Sequence, residues 1–173
     1  VSNGKEFKKL SKTYWKKLNG IKTDKPQKTI KVGLVGDYFT VQEPFSNYFM
    51  EKELAKFGME VYRQMNITCT VIQRQNKKKR KYAKKYAKYN LGATANCTIA
   101  EAIKFAKEGC AGIIQVKSFG CTPEIDAMPI LQNVSRDFNI PILHFSFDSQ
   151  TSETGVKTRL EAFYDMVEAR NAK

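Results

Sequence analysis

The stretch TIKVGLVG, residues 29–36, decides the fold class of this sequence. It is one continuous run of β-branched and apolar residues that ends in glycine, which is typical of a strand buried on both faces of a parallel sheet. A helical pattern over 44–57 follows it, and a second apolar run over 59–62 comes next. A strand, a helix and a second strand in this order predict an open α/β sheet.

The rest of the sequence continues this alternation. Apolar runs over 111–116 and 141–147 predict two more strands. Helices are predicted over 98–107, with Thr98 and Glu101 as a capping box, over 123–138, with Pro123 in the first turn, and over 156–169. The sequence therefore predicts an α/β protein, a three-layer Rossmann-like or flavodoxin-like sandwich with a mostly parallel sheet of about four strands.

The beginning of the chain has a different pattern. Residues 5–18 repeat apolar side chains at helical spacing with lysines between them, and Asn19-Gly20 ends this predicted helix. We expect residues 1–28 to be a basic N-terminal helix and linker cut from a larger protein, and residues 29–173 to form a single α/β domain.

Positive charge is concentrated in two segments. The 173 residues hold 30 Lys and Arg against 17 Asp and Glu, a formal net charge of +13. Residues 1–32 carry +8 and residues 71–90 carry +9, so the other 121 residues carry −4. The domain is therefore mildly acidic, and its two basic segments are candidates for docking a partner.

The second basic segment has a helical pattern of tyrosines. The pattern predicts an amphipathic helix over 77–91 whose buried stripe consists of Tyr82, Tyr86 and Tyr89. The preceding residues, 66–76, alternate between apolar and polar side chains as a strand does. Lysine-rich faces with tyrosines can bind single-stranded nucleic acids. Because no known nucleic-acid module matches and the remaining domain is acidic, nucleic acid is the least favoured partner.

Several protein classes are excluded by composition. No run of 18 apolar residues exists, so no transmembrane helix is predicted and we expect no membrane partner. The start has no apolar stretch behind a charged region, so no signal peptide is predicted. The four cysteines contain no C-x-x-C pair, which disfavours a zinc ribbon or finger. We therefore expect a reduced, cytoplasmic setting.

Cys121 is the residue best suited to chemistry. It directly precedes Thr122-Pro123, a predicted helix start, where backbone N–H groups and the helix dipole favour a thiolate. A thiolate can bind a metal or attack an electrophile. A small residue packed under a loop is an equally favoured interpretation of the same pattern.

The other candidate side chains favour structural roles. His144, the single histidine, lies inside a predicted strand, where a packed histidine is favoured over a catalytic base. Asp37 and Asp148 each follow a strand and could bind a cation or ligand, although turn capping is slightly favoured. No Walker loop or complete dinucleotide fingerprint is present. The remaining cysteines are interpreted as small buried core residues without a chemical role: Cys69, Cys97 and Cys110.

Two segments carry a family resemblance: GCAGIIQVKSFGCTPEIDAMPIL (109–131) and IPILHFSFDSQTSETGVKTRLEAF (140–163). With them, residues 109–170 resemble the C-terminal part of the 2-hydroxyacyl-CoA dehydratase family, and the likeness is closest to its activase-related members. KVGLVGDYF (31–39) and LGATAN (91–96) are weaker matches. The resemblance therefore extends over most of the predicted domain.

The resemblance implies an iron–sulfur protein. Family members have Rossmann-like lobes that share a cluster held by cysteines, and one ligand lies in a motif that FGCTPE (119–124) matches at Cys121. An ATP-dependent activase supplies a low-potential electron, and the dehydratase removes water from a 2-hydroxyacyl-CoA. The family's other cluster cysteines come from an N-terminal lobe that has no counterpart here. The resemblance thus implies one lobe, with a [4Fe–4S] site that is incomplete in this chain.

On this hypothesis the partners are the activase, a second cluster-bearing lobe and an acyl-CoA. Cys121 is the one metal ligand, and Arg159 and Glu161 brace the last loop. The residues expected to line the site are Asp37, Tyr38, Phe39, Asn96, Phe119, Asp148, Thr151 and Thr154. The alternative hypothesis is a non-catalytic module that binds a partner or CoA through its basic segments.

Overall fold

A computed structural model describes residues 3–24, 26, 28–63, 83–92 and 94–171. In chain order the elements are α1 (Gly4–Asn19), β1 (Ile30–Gly36), α2 (Tyr38–Gln42), a 3-10 turn (Phe45–Asn47), α3 (Met50–Lys56), β2 (Met59–Arg63), α4 (Ala95–Lys107), β3 (Gly112–Ser118), α5 (Thr122–Phe138), β4 (Ile142–Phe147) and α6 (Glu153–Asn171).

The four strands form one parallel sheet in the order β2-β1-β3-β4. One face of the sheet packs against α4 and α5, where Ile99 and Leu131 are fully buried. The other face packs against α3 and α6, where Leu54 and Leu160 are fully buried. Helices thus cover both faces of the sheet, and the predicted α/β sandwich is confirmed.

The predicted helix over 44–57 is wrong. Helix α2 begins directly after Asp37, and α3 begins only at Met50. The chain between them turns through two left-handed residues, Tyr48 (φ 56°) and Phe49 (φ 52°). The buried Asn47 explains the break, because its amide donates to the Thr40 carbonyl (2.7 Å) and its side-chain oxygen accepts the Met50 N–H (3.1 Å). These bonds replace those of a continuous helix.

The predicted capping box is also wrong. Helix α4 begins at Ala95, so Thr98 lies inside the helix and not at its start. The Thr98 hydroxyl donates to the Glu124 carboxylate of another element at 2.9 Å. Glu101 is buried and lies 3.7 Å from the Lys104 ammonium. The local pattern predicted that the Thr98 hydroxyl caps its own helix, but it forms a long-range hydrogen bond instead.

The basic helix predicted over 77–91 does not extend through its described part. Residues 84–86 form a turn after Ala83. Tyr86 is half-buried and donates to the Asp137 carboxylate at 2.9 Å, but Tyr89 is 81% exposed, so the predicted buried tyrosine stripe is wrong at Tyr89. Other predictions lie outside the described residues: the strand over 66–76, Cys69 and Tyr82.

Helix α1 confirms the helical pattern at the beginning of the chain. The Asn3 side chain accepts the backbone N–H groups of Lys5 and Glu6, each at 3.0 Å, and so caps the helix. No residue of α1 is buried. Among the helices of the described residues, none is long and apolar enough to cross a membrane.

Candidate functional site at the carboxyl edge of the sheet

The loop after β1 is held tightly against β3. Gly36 has φ +144°, and a Cβ atom there would lie 1.8 Å from the Val116 carbonyl oxygen, so only glycine fits this crossing. The carboxylate of the next residue, Asp37, accepts the Thr40 N–H and hydroxyl and the Ser118 N–H, each at 2.8 Å. Asp37 therefore caps α2 and joins two loops, as the capping interpretation expected.

A fully buried carboxylate connects three elements behind these loops. Glu124, in the first turn of α5, is 0% exposed. Its Oε1 accepts the hydroxyls of Thr94 (2.6 Å) and Thr98 (2.9 Å), and its Oε2 accepts the Gln115 amide (2.8 Å). Burial raises the pKa of Glu124 from its usual 4.5, although these hydrogen bonds oppose the shift.

The same network reaches the single histidine. Gln115 Nε2 donates to both the carboxylate and the backbone oxygen of Glu124, so its Oε1 is left to face His144 Nδ1 at 2.6 Å. His144 Nδ1 therefore carries the proton and donates it. Burial lowers the pKa of His144, and the positive charges of Arg159 and Lys117 lower it further. The histidine is a neutral, packed residue of β4, as the sequence favoured.

Cys121 lies at the start of α5, on the same edge of the sheet, and is half-buried. Burial raises the pKa of its thiol; the Glu124 backbone N–H opposes this shift, and the Glu124 and Asp37 carboxylates add to it. The pKa of Cys121 is thus raised, whereas the helix terminus alone predicted a lowered pKa and a stabilised thiolate. Among the described residues, the cation that favours the thiolate is Lys117, which is 3% exposed and whose Nζ lies 3.4 Å from the Phe119 carbonyl oxygen.

A cavity of about 570 Å³ opens beside these loops. It lies at the carboxyl ends of β1, β3 and β4, which is where open α/β sheets bind ligands. Its volume falls in the range of small-molecule sites. Its aromatic lining consists of Phe39, Phe45, Tyr48, Phe49 and Phe147.

The walls of this cavity are held by hydrogen bonds. Tyr48 donates its hydroxyl to the Thr151 carbonyl at 2.7 Å and so connects the turn before α3 to the loop after β4. Phe49 N–H donates to the Pro44 carbonyl at 2.7 Å, which closes the turn. Phe45 is 78% exposed. The turn thus presents aromatic rings to solvent from a fixed backbone whose left-handed residues cost energy.

The other predicted site residues take several places. The Asp148 carboxylate accepts the Gln150 N–H and the Thr151 hydroxyl, each at 2.9 Å, so it caps a turn and also lines the cavity. Asn96 is buried, and its amide donates to Asn90 at 2.6 Å. Tyr38 is half-buried at the start of α2, and Thr154 is exposed in the first turn of α6.

Two further residues were expected to brace the last loop. The Arg159 guanidinium donates to the His144 carbonyl at 2.7 Å and lies 4.4 Å from the centre of the Phe145 ring. Arg159 therefore braces β4 and not the loop itself. Glu161 is exposed on α6. Phe119 is 66% exposed next to Cys121, outside the cavity lining.

The cysteines of the described chain do not fit a complete cluster. A [4Fe–4S] cluster takes converging thiolates. Cys110 is buried before β3 and Cys121 follows it, so the two thiols lie at opposite ends of one strand. Cys97 is buried in α4. Among the described residues, no three His, Cys, Asp or Glu side chains converge in a way that could hold a metal ion.

Comparison with known families gives a match over most of the chain. The model of the 2-hydroxyglutaryl-CoA dehydratase D-component family matches residues 3–167. The chain belongs to the 2-hydroxyglutaryl-CoA dehydratase D-component family. No curated protein and no solved structure matches it. The match agrees with the broader family that the sequence resembles, while the closer likeness to activase-related members stays a prediction.

Sequence reasoning missed the residues that shape this candidate site. Gln115 interrupts an otherwise apolar strand, which is a signal that a buried polar partner exists. Glu124 gave a weaker signal, because an acid in the first turn of a helix is usually exposed. Asn47 and Tyr48 gave none, since a helical pattern covered them.

Proposed function

We propose that this chain forms one lobe of a 2-hydroxyacyl-CoA dehydratase component, with the carboxyl edge of its sheet as one wall of the substrate site. The observation that carries the proposal is that Cys121 and the aromatic cavity lie on the same carboxyl edge of the sheet, although Cys121 is not itself a lining residue. Ser118 lines the cavity, and its carbonyl oxygen accepts the Cys121 N–H at 3.1 Å. Membership of the D-component family supports an acyl-CoA ligand for this edge.

The exposed phenylalanines are the proposed contacts for an apolar acyl chain. Phe39, Phe45 and Phe49 are 70%, 78% and 50% exposed, and burying such rings against a ligand supplies binding energy. The test is binding of 2-hydroxyhexanoyl-CoA to the full-length protein. We expect Phe45→Ala to weaken binding about tenfold.

The matched control for this test is Tyr89→Ala, which removes an aromatic ring that is 81% exposed and outside the cavity lining. It should leave the affinity unchanged. Equal affinities for Phe45→Ala and the unmodified protein would show that the cavity does not hold the acyl chain.

We further propose that Cys121 supplies one ligand to an iron–sulfur cluster whose other ligands lie outside the described residues. The match to the FGCTPE motif and the partial exposure of the thiol support this role. When bound, such a cluster would supply low-potential electron transfer. The reduced cytoplasm is the proposed setting, since it keeps thiols free.

Anaerobic reconstitution of the full-length protein with iron and sulfide tests the ligand. Cys121→Ala should lower the bound iron and the visible absorbance. Cys110→Ala is the matched control, because this thiol is buried at the other end of β3 and should not matter. If Cys121→Ala binds as much iron as the control, the ligand proposal is wrong.

A non-catalytic module is the second candidate function. Phe119 and Ile125 are 66% and 43% exposed on either side of Cys121, and neither lines the cavity. Such side chains favour contact with another protein surface, either a second lobe or the activase. If Phe119→Ser abolishes copurification with the activase while Cys121→Ala leaves iron content and turnover unchanged, this second function replaces the first.

A further inference from the structure

Helix α1 has an apolar face that remains exposed. Along the helix, Phe7, Leu10, Tyr14 and Leu18 recur at the spacing that puts them on one side. Trp15 lies at the border of this side. Each of the five is 38–63% exposed. No residue of the helix is buried, so the described body of the protein does not cover this face.

The opposite side of α1 is almost uniformly basic. The helix contains six lysines and one acid, Glu6, a net charge of +5. The basic residues of this side are Lys5, Lys8, Lys9, Lys12 and Lys16, while Lys17 lies next to the apolar face with its Nζ 5.6 Å from the centre of the Tyr14 ring. Charge that is almost all of one sign, with Glu6 as the single acid of the helix, matches an extended anionic surface better than a stereospecific partner.

The helix is also complete without the rest of the fold. Asn3 caps its first turn, and the Gly20 N–H donates to the carbonyl oxygens of Lys16 (3.1 Å) and Lys17 (3.2 Å) at its end. The polar segment that follows separates it from β1. Helix α1 is thus a preformed element joined to the sheet by a linker.

We propose that α1 binds the surface of an anionic lipid bilayer. Its apolar side chains enter the boundary between headgroups and acyl chains, while the lysines remain among the anionic headgroups. A bilayer surface satisfies both faces at once, whereas a nucleic acid would leave Leu10 and Leu18 in water. The proposal is independent of the dehydratase site, and it departs from the sequence expectation of no membrane partner.

The experiment uses the only tryptophan of the chain as its reporter. Trp15 is 56% exposed, so its emission should shift to shorter wavelength when the helix enters a lipid interface. The 173-residue chain is titrated with vesicles of phosphatidylglycerol and phosphatidylcholine in equal parts, and with phosphatidylcholine alone. We expect a saturating shift with the anionic vesicles, a much smaller one with the neutral vesicles, and weakening by salt.

Two double variants test the two faces. Lys12→Glu with Lys16→Glu should weaken vesicle binding by more than about tenfold, while the charge-retaining control, Lys12→Arg with Lys16→Arg, should bind normally. Leu10→Asn with Leu18→Asn should also lose the shift. Because no residue of α1 is buried, the thermal unfolding midpoint of each variant should stay unchanged, which separates lost binding from misfolding.

Three results would overturn the lipid proposal. The first is no Trp15 shift with anionic vesicles. The second is an equal shift with neutral vesicles or with the Lys→Glu variant, since either shows that charge does not matter. The third is a shift with polyglutamate and none with vesicles, which would assign α1 to an acidic protein partner.

Discussion

The Gln115 amide nitrogen lies 2.8 Å from the Glu124 carboxylate and 3.0 Å from the Glu124 backbone oxygen. One side chain of β3 thereby holds both the acid and the backbone in the first turn of α5. The same turn begins at Cys121, so the network fixes the backbone that carries the candidate ligand. It lies entirely within the folded interior and should control stability.

The first prediction concerns the loss of Glu124. Glu124→Ala leaves the Gln115 amide and the hydroxyls of Thr94 and Thr98 without their shared acceptor, which should lower the free energy of unfolding by about 3 kcal/mol. Urea denaturation measures this loss. The control Glu161→Ala, at an exposed position of α6, should stay within about 0.5 kcal/mol of the unmodified protein.

The second prediction concerns pH. Burial raises the pKa of Glu124 above 4.5, so the folded protein binds this proton more tightly than the unfolded chain does. As pH falls through the raised folded pKa towards 4.5, the folded state should gain stability from this group. The unfolding free energy of the unmodified protein, minus that of Glu124→Gln, should therefore increase over this window. A difference that decreases would show that hydrogen bonds outweigh burial at Glu124.

The third prediction concerns thiol reactivity. Burial raises the pKa of Cys110 to about 11, and it raises the pKa of the half-buried Cys121 above 9.0. At neutral pH, iodoacetamide should modify Cys121 faster than Cys110, as measured by peptide mass spectrometry. The Cys121 rate should still be rising at pH 9. If the Cys121 rate reached a plateau near neutral pH, this would instead indicate a stabilised thiolate. Loss of the modified peptide in the Cys121→Ser variant assigns that peptide to Cys121.

The fourth prediction concerns the crossing at Gly36. Gly36→Ala places a methyl group 1.8 Å from the Val116 carbonyl oxygen at φ +144°, and should cost roughly 4 kcal/mol or more. Gly58→Ala is the matched control, since its φ is also positive (+72°) but nothing lies within 4 Å. It should cost about 1 kcal/mol. Equal melting temperatures for the two variants would show that the close contact at Gly36 is easily relieved.

Local patterns predicted much of the fold. The runs around Val32 and Ile113 became neighbouring parallel strands, and Pro123 lies in the first turn of α5 as expected. Local patterns failed where a distant residue forms the hydrogen bond that the pattern assigned to a neighbour in the sequence. The Thr98 hydroxyl donates to Glu124 and does not cap its own helix, and the Asn47 side chain holds a turn where a helix over 44–57 was predicted.

For the candidate site too, local patterns predicted some features and only the packing decided the others. The sequence by itself determined the α/β class and the loops at the carboxyl edge, and it made Cys121 the candidate ligand, because strand and helix periodicity and short motifs are local properties. Only the tertiary structure decided that Asp37 is a cap, that Glu124 and Gln115 form a buried pair, and that Phe45 lines a cavity. Burial and hydrogen-bond partners depend on which elements pack across the sheet, and this packing also sets the pKa of Cys121.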